Sequence, residues 1–395
     1  MPLEEPESKL PQELTGPIRI FKSEYIRRPL LLLASVILTL SLIEFPAFIN
    51  VLDYREIFGL NFAWWPINNV KDPELIHIRR PYAHFSGETR GGGATKYHRI
   101  PPSDMTFYRW DVKCDRNGFR NPVGLKSADI AMIGDSFIEG LTVADNELVS
   151  SRLAHLQGQV VANLGQSAYG PQQELIVLKR YGLPLRPRTV LWMFSEGTDL
   201  KDVVYYDRVM YHPPNFWQAF LDRSLTKIVR NRLRTPPKFP GVSCAGVFQA
   251  SGGKTVTLYF TTRALPFSKQ DLDAIDETTR IIADAHNLCA AQGARLIFVF
   301  VPEKFRVFHA FCQFPQGSEC PNWVVNDMPE RFQKAVPSVS SDIGYLDLTP
   351  SLVDATKRGA VPYYPDDDHW SPEGHKIAAE AINDYLLSAR ESEGR

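Results

Sequence analysis

After residue 128 the chain alternates between two kinds of stretch. Five short apolar runs, Ile130–Ile133, Val160–Leu164, Val190–Phe194, Leu296–Val301 and Tyr345–Leu348, are separated by longer segments, with helix-compatible stretches near 145–157, 171–181 and 269–292. Runs this short with so little polar alternation need cover on both faces, the condition of parallel strands sandwiched between helices. Right-handed crossovers then connect them. The stretch at 269–292 shows its own limits: Ser268 as cap, a Leu272, Ile275, Ile281 and Ala285 stripe, and Gly293 as stop.

An open parallel sheet binds its ligands at the carboxyl ends of its strands. The first run ends there on Gly134-Asp135-Ser136, with a helix-compatible segment from about Asp145. A serine in that place suits a nucleophile and equally an ordinary strand-to-helix turn. Chemistry requires the rest of the chain to supply a base, an orienting acid and an oxyanion site.

Such a base stands near the end, in Tyr363-Tyr364-Pro365-Asp366-Asp367-Asp368-His369-Trp370-Ser371-Pro372-Glu373-Gly374-His375. Ser371 is a natural helix cap, Pro372 suits the first helical position, and Glu373 suits the positive helix end. Ile377, Ala378, Ala381, Ile382, Tyr385 and Leu386 then form one apolar stripe that docks the last helix on the sheet. His369 is held just before that helix, with Asp367 and Asp366 two and three residues upstream. A carboxylate so placed can accept the Nδ1 hydrogen and present Nε2 to a serine. An acidic loop with an incidental histidine reads the same way. Metal binding fits poorly, because His369 and His375 are six apart and face different directions once the helix begins.

At the other end, residues 1–28 are polar, rich in Pro and Glu, and close on Lys22 and Arg27-Arg28, as a mobile tail would. The uncharged run Leu30–Ile43 follows, then Glu44 and a second apolar patch to Leu52. Together they supply the roughly 20 residues that a membrane span needs. A signal anchor, a cleaved signal peptide and a buried core helix compete here. The lack of a clear small-x-small cleavage site favours the anchor. Basic residues before the run and Glu44, Asp53 and Glu56 after it keep the tail cytoplasmic and export the remainder. The expected protein is single-pass in the inner membrane, with its α/β domain in the periplasm.

A formal charge of -1 gives no basic excess for nucleic acid. Among the five cysteines, Cys312 and Cys320 flank a turn-rich loop that either closes as a disulfide in an oxidising compartment or carries two free thiols. Cys289 reads as a small buried side chain in its helix. Residues 53–128 read as an irregular approach. Gly91-Gly92-Gly93 within it lacks a preceding strand and a following helix, which argues against a dinucleotide loop. Gly253-Lys254-Thr255 lacks the upstream glycine of a phosphate loop, since Phe248 stands there and a strand-like Val256–Phe260 follows. Between 205 and 262 the alternation is interrupted. A basic amphipathic helix is expected over Trp217–Leu233, with Arg223, Lys227, Arg230, Arg232 and Arg234 around it. It would rest on anionic lipid, touch an acidic glycan, or form a solvated face.

Gly134-Asp135-Ser136, Asn163-Leu164-Gly165 with Ala168-Tyr169-Gly170, Glu196-Gly197-Thr198-Asp199, and the acidic run before His369 follow one another in that order. Over about residues 115–388 the chain thereby resembles the SGNH (GDSL-type) serine hydrolases. Its Asp367-Asp368-His369-Trp370-Ser371-Pro372-Glu373-Gly374 is also similar to the Asp-x-His-Trp-Thr-Pro-Glu-Gly run of membrane-linked alginate O-acetylation proteins in that superfamily. The resemblance implies a flavodoxin-like three-layer α/β sandwich over 115–390, with an insertion at about 205–262. A cytoplasmic tail (1–28), a transmembrane anchor (29–52) and an irregular segment (53–114) would precede it.

By the same resemblance Ser136 is the nucleophile and His369 the general base. The orienting acid is Asp366 by the usual Asp-x-x-His spacing or Asp367 by the Asp-x-His-Trp variant, the latter preferred. The oxyanion hole would use the N–H of Ser136, that of Ala168 where the family has glycine, and Thr198 where it has asparagine. A threonine hydroxyl is a shorter, rotating donor, and losing one donor costs on the order of 100- to 1,000-fold in rate. No cofactor or metal is implied. The substrate would be an acyl ester, acetyl by family analogy, of an exported glycan or of a lipid, with a membrane acyl-donor protein as partner. A glycan-binding subunit with a weakened site and a lipid-directed esterase are the rival readings.

Overall fold

The computed structural model describes residues 21–57, 68–234 and 244–393. The chain divides into two compact units, residues 1–60 with 215–234, and residues 61–214 with 235–395.

The larger unit begins with two antiparallel hairpins. Strands β1 (Asn69–Asp72) and β2 (Ile76–Arg79) form the first, β3 (His84–Arg90) and β4 (Phe107–Lys113) the second. The segment read as irregular therefore contains four strands. Its signal was a period of two in β4, where Tyr108 and Val112 are buried while Phe107, Arg109, Asp111 and Lys113 are exposed. The Asn117-Gly118 turn follows. Gly118 has φ +86, and a Cβ there would meet the Arg79 carbonyl oxygen at 2.3 Å, so only glycine fits.

The five apolar runs become β5 (Ile130–Gly134), β6 (Val161–Gly165), β7 (Thr189–Ser195), then β10 (Arg295–Val301) and β12 (Gly344–Asp347), after the insertion strands β8 (Ala245–Gln249) and β9 (Thr255–Tyr259) and the short β11 (Cys312–Gln313). Their sheet runs β12-β10-β7-β5-β6, parallel throughout. Renumbered within the sheet this is 2-1-3-4-5, the flavodoxin-like order, whose switch point falls beside β5. Alternate residues serve two cores. Ala131, Ile133, Trp192, Phe194, Phe298 and Phe300 meet the helix Lys269–Ala290 through Ile275, Ile281, Ala285 and Cys289. Met132, Leu191, Met193, Ile297 and Val299 meet Val149, Leu153 and the last helix, Pro372–Glu393, through Ala378, Ile382 and Leu386. Each such burial contributes roughly 1.5–3 kcal/mol. The stretch read as one helix at 171–181 is α-helical only over Pro171–Val177. It widens into a π-type turn, Leu178–Gly182, that seats Leu178 in the core before Pro184 ends it.

The strands β8 and β9 of the 205–262 region form a small antiparallel sheet with β11, in the order β11-β8-β9. Cys312 and Cys320 are free thiols rather than a closed loop. Cys312 is held in β11 against β8, and the Cys320 thiol hydrogen-bonds with that of Cys244 instead.

The smaller unit holds the helix Phe21–Phe48, so residues 21–28, read as tail, are helical; residues 1–20 of that tail lie outside the described residues. Over Arg27–Phe48 the helix is long and apolar enough to cross a membrane, and its most apolar window is only 6% buried, which removes the core-helix reading. The single basic helix expected over Trp217–Leu233 is two, Phe216–Arg223 and Leu225–Arg234. Ser224 breaks it: its backbone is extended, and its hydroxyl accepts the Lys227 N–H at 3.1 Å as a cap for the second helix.

Candidate active site

Strand β5 stops at Gly134, where a Cβ would meet Ile138 Cγ1 at 2.7 Å. Asp135 then caps the short helix Ser136–Glu139 by accepting the Phe137 N–H at 2.9 Å, and Ser136 emerges at the switch point. Its Oγ lies 2.7 Å from His369 Nε2, although 233 residues separate the two. His369 Nδ1 lies 2.5 Å from Asp367 Oδ1, which also accepts the His369 N–H at 3.0 Å.

The two candidate acids part company here. Asp367 turns to His369, while Asp366 turns away and accepts the N–H groups of Gly92 at 3.0 Å and Thr106 at 2.9 Å, and the Tyr108 hydroxyl at 2.7 Å. Asp366 does not touch the imidazole, which corrects its place among the catalytic candidates. Both carboxylates accept from the glycine loop, Asp366 from Gly92 and Asp367 from Gly93, but only Asp367 also reaches the imidazole.

The electrostatics follow from this arrangement. Burial raises the Asp367 carboxyl, but His369 and the N–H groups of Gly93 and His369 outweigh it and hold the group well below the usual carboxylate range. Burial works against an imidazolium at His369, yet Asp367, with help from Asp135 and Asp368, lifts its pKa to about 9. Beneath the loop, Lys304 is fully enclosed and donates to the carbonyls of Tyr259 and Pro365 at 2.8 Å and of Asp367 at 3.1 Å. Burial pulls its pKa down to about 8 against the attraction of Asp368, Asp367 and Asp366. Burial likewise pushes Asp368 up to about 6, opposed by Lys304. His375 stands apart: its Nδ1 accepts the Val149 N–H at 3.2 Å. Among the described residues no cluster of three or more His, Cys, Asp or Glu is arranged to hold a metal ion.

For an oxyanion, the N–H groups of Ser136 and Ala168 donate to no acceptor among the described residues. Ala168 has φ +61, the left-handed conformation for which glycine is the natural choice. Thr198 does not match its expected part. Its hydroxyl lies 2.9 Å from Asp135 Oδ2 and 3.4 Å from Asp199 Oδ1, so its one hydrogen is engaged by carboxylate. Two N–H donors remain.

Several supporting residues escaped the sequence reading. Glu139, just past Ser136, accepts the Ser167 N–H at 2.9 Å and the Ser167 hydroxyl, and so ties the serine helix to the residue before Ala168. Arg79 neutralises it, with Nε at 2.7 Å, in a pair buried on both sides. Burial, helped by the Arg79 charge, pulls His77 down to about 4 against the Ser167 carbonyl and Glu139, and its Nε2 lies 3.1 Å from that carbonyl. Lys304, Tyr108 and Gly92-Gly93 do the same for the acid loop. Of these only the triple glycine was visible as a signal, and its partner lay 274 residues away.

The parallel order of the central sheet, with a serine after its first strand and a histidine before its last helix, makes this an α/β domain of the SGNH type. Residues 256–394 match the family described as the SGNH hydrolase-like domain of the acetyltransferase AlgX. The match contains Asp367, His369 and Trp370 and begins downstream of Ser136. No curated protein sequence matches the chain. Solved structures similar to it include a GDSL-like lipase from Bacteroides thetaiotaomicron, at 15% identity over 66% of this chain and 88% of that one, TM-score 0.33. An acetyl xylan esterase is similar at 8% identity over 65% and 98%, TM-score 0.35. A catalytic mutant of an acetylxylan esterase from Geobacillus stearothermophilus is similar at 11% identity over 64% and 91%, TM-score 0.35.

Proposed function

We propose that this protein is a membrane-anchored, exported serine esterase or O-acyltransferase acting on acyl esters, acetyl foremost, of a cell-envelope glycan. The observation that carries the reading is the 2.7 Å approach of Ser136 Oγ to His369 Nε2, with Asp367 behind the imidazole. Ser136 Oγ attacks the ester carbonyl while Nε2 takes its proton, and Asp367 stabilises the imidazolium. The oxyanion is met by the N–H groups of Ser136 and Ala168. Collapse expels the alcohol, which receives the proton from His369, and leaves acyl-Ser136. Water or a sugar hydroxyl then gives up a proton to His369 and takes the acyl group, restoring the serine.

The match to the acetyltransferase AlgX family supports acetyl transfer, and the resemblance of residues 367–374 to the alginate O-acetylation proteins extends that reading to a glycan acceptor and a membrane acyl donor as partner. The apolar helix Arg27–Phe48, with basic residues before it, supports a cytoplasmic amino terminus and an exported domain. Ser136→Ala should abolish labelling by a fluorophosphonate probe and turnover of an acetyl ester. Labelling that survives the substitution places the nucleophile elsewhere.

One observation favours a second reading, a glycan-binding subunit with a weak site: Thr198 gives its hydrogen to Asp135 and leaves the oxyanion one donor short. Glycan binding without acetyl-ester turnover by the wild type would select it.

A further inference from the structure

The smaller unit carries none of the residues named in this site, and its surface is of another kind. The end of the apolar helix is covered by the two short helices. The Phe48 ring lies 5.1 Å from that of Phe216, 6.1 Å from Trp217 and 5.5 Å from Phe220. The Thr226 N–H and hydroxyl both donate to the Glu44 carboxylate at 2.6 Å, and Arg223 Nε reaches the Ala47 carbonyl at 3.3 Å. Phe216–Arg223 and Leu225–Arg234 are thereby fixed to the last turns of the span, the depth at which a bilayer passes from hydrocarbon to headgroups.

Even so, much apolar surface stays uncovered. Trp217 is 63% exposed, Leu221 50%, Val229 45% and Leu233 82%. A groove of about 400 Å³ opens between the apolar helix and the second short helix, lined by Leu40, Ile43, Leu225, Val229, Leu233 and Arg230. Glu44 and Thr226 also line it, hydrogen-bonded to each other; the other walls are aliphatic, and the exposed Arg230 is the cation of the lining. A solvated face would not carry this row of side chains, and an aliphatic groove offers a sugar few hydrogen-bond partners. An acyl chain fits it, with Arg230 as the cation for a negative headgroup.

We propose that residues 216–234 form an interfacial docking element whose groove takes an acyl chain of an anionic phospholipid, the phosphate being met by Arg230. The inference rests on reading Arg27–Phe48 as a membrane span, and on nothing in the catalytic assignment.

The test uses the full chain in phosphatidylcholine vesicles with or without phosphatidylglycerol. Native mass spectrometry of protein extracted from them should show phosphatidylglycerol retained in preference to phosphatidylcholine. Arg230→Gln should lower that preference roughly fivefold, the scale of one basic residue at an anionic surface. Brominated lipids should quench the wild type more than Trp217→Phe, which lacks the interfacial indole. Equal retention of both lipids, or quenching unchanged by Trp217→Phe, overturns the proposal. Alkaline extraction separates the two levels: protein stripped from the vesicles sinks the span reading and this proposal with it, whereas protein that stays but shows no headgroup preference sinks the proposal alone. Equal far-ultraviolet circular dichroism and equal thermal unfolding of both variants and the wild type establish that each is folded.

Discussion

Gly93 donates its backbone N–H to Asp367 Oδ2 at 2.6 Å, across 274 residues of chain. The bond leaves Asp367 Oδ1 free to face His369, so a loop outside the parallel sheet decides how the carboxylate is aimed. Its neighbour Gly92 does the same for Asp366. The loop between β3 and β4 and the loop before the last helix are therefore one device.

Gly92→Ala should break that device. A Cβ there would lie 2.6 Å from the Asp366 carbonyl oxygen, 2.7 Å from the Tyr108 hydroxyl and 2.8 Å from Asp367 Cβ, and two of those three atoms belong to backbone or to the acid itself. The acid loop must move, and a misplacement of about 1 Å costs on the order of 100-fold in rate. Steady-state kinetics on an acetyl ester should show that loss in kcat with little change in KM, and an NMR titration should show the His369 pKa falling towards its ordinary value. An unchanged kcat would mean that the glycine loop is mere packing.

The two aspartates should separate cleanly. Asp367→Asn removes the acceptor that holds His369 in its tautomer, and losses on the order of 10,000-fold in kcat attend that change in triads of this kind. Asp366→Asn should leave kcat within about tenfold. It takes a charged acceptor from Gly92, Thr106 and Tyr108, so denaturation should report a stability loss of about 1–3 kcal/mol. If Asp366→Asn proves the slower enzyme, the assignment of the acid is reversed.

What the sequence made legible divides along a physical line. The central sheet was readable because β5, β7 and β10 are buried on both faces, which writes continuous apolar runs. Ser136 and His369 were readable because each sits at a marked boundary, one after a strand, the other before a Ser-Pro helix start. The hairpins of 69–113 were missed because β1 and β2 are only four residues each, while β3 and β4 turn more than half of their residues to solvent and leave only weak alternation. Arg79, Glu139 and Lys304 were invisible for another reason: a buried charge is identified by its partner, and the partners lie 60 residues away for Arg79 and up to 63 for Lys304.

The imidazole sets the pH dependence. With the His369 pKa near 9, most molecules carry an imidazolium at neutral pH, and kcat/KM should rise with pH until about 9 before levelling. Stability runs the other way. The folded value lies above the unfolded one of about 6.5, so the Asp367–His369 pair stabilises fully below about 6.5 and that contribution is lost as pH rises through 9. Lys304, depressed to about 8, adds an opposite slope above that pH. Thermal unfolding of the wild type and of His369→Ala, compared from pH 6 to 10, isolates the histidine: their difference should shrink with rising pH. A difference that grows would invert the pairing inferred here.

Thr198 offers the sharpest test of the oxyanion site. Its hydroxyl lies 2.9 Å from Asp135, a buried carboxyl that burial pushes up and that the Phe137 N–H, His369 and Thr198 pull back. Thr198→Val keeps the shape and removes that hydrogen bond. If the hydroxyl serves Asp135, the variant should lose about 1–3 kcal/mol of stability, because a buried polar group is left short of a partner. Its kcat should fall far less than the roughly 100-fold or more expected on removing an oxyanion donor. A fall of that full size with unchanged stability would show that the hydroxyl swings onto the oxyanion during turnover. Thr198 would then hold the place that asparagine has in related enzymes, and the hole would have three donors rather than two.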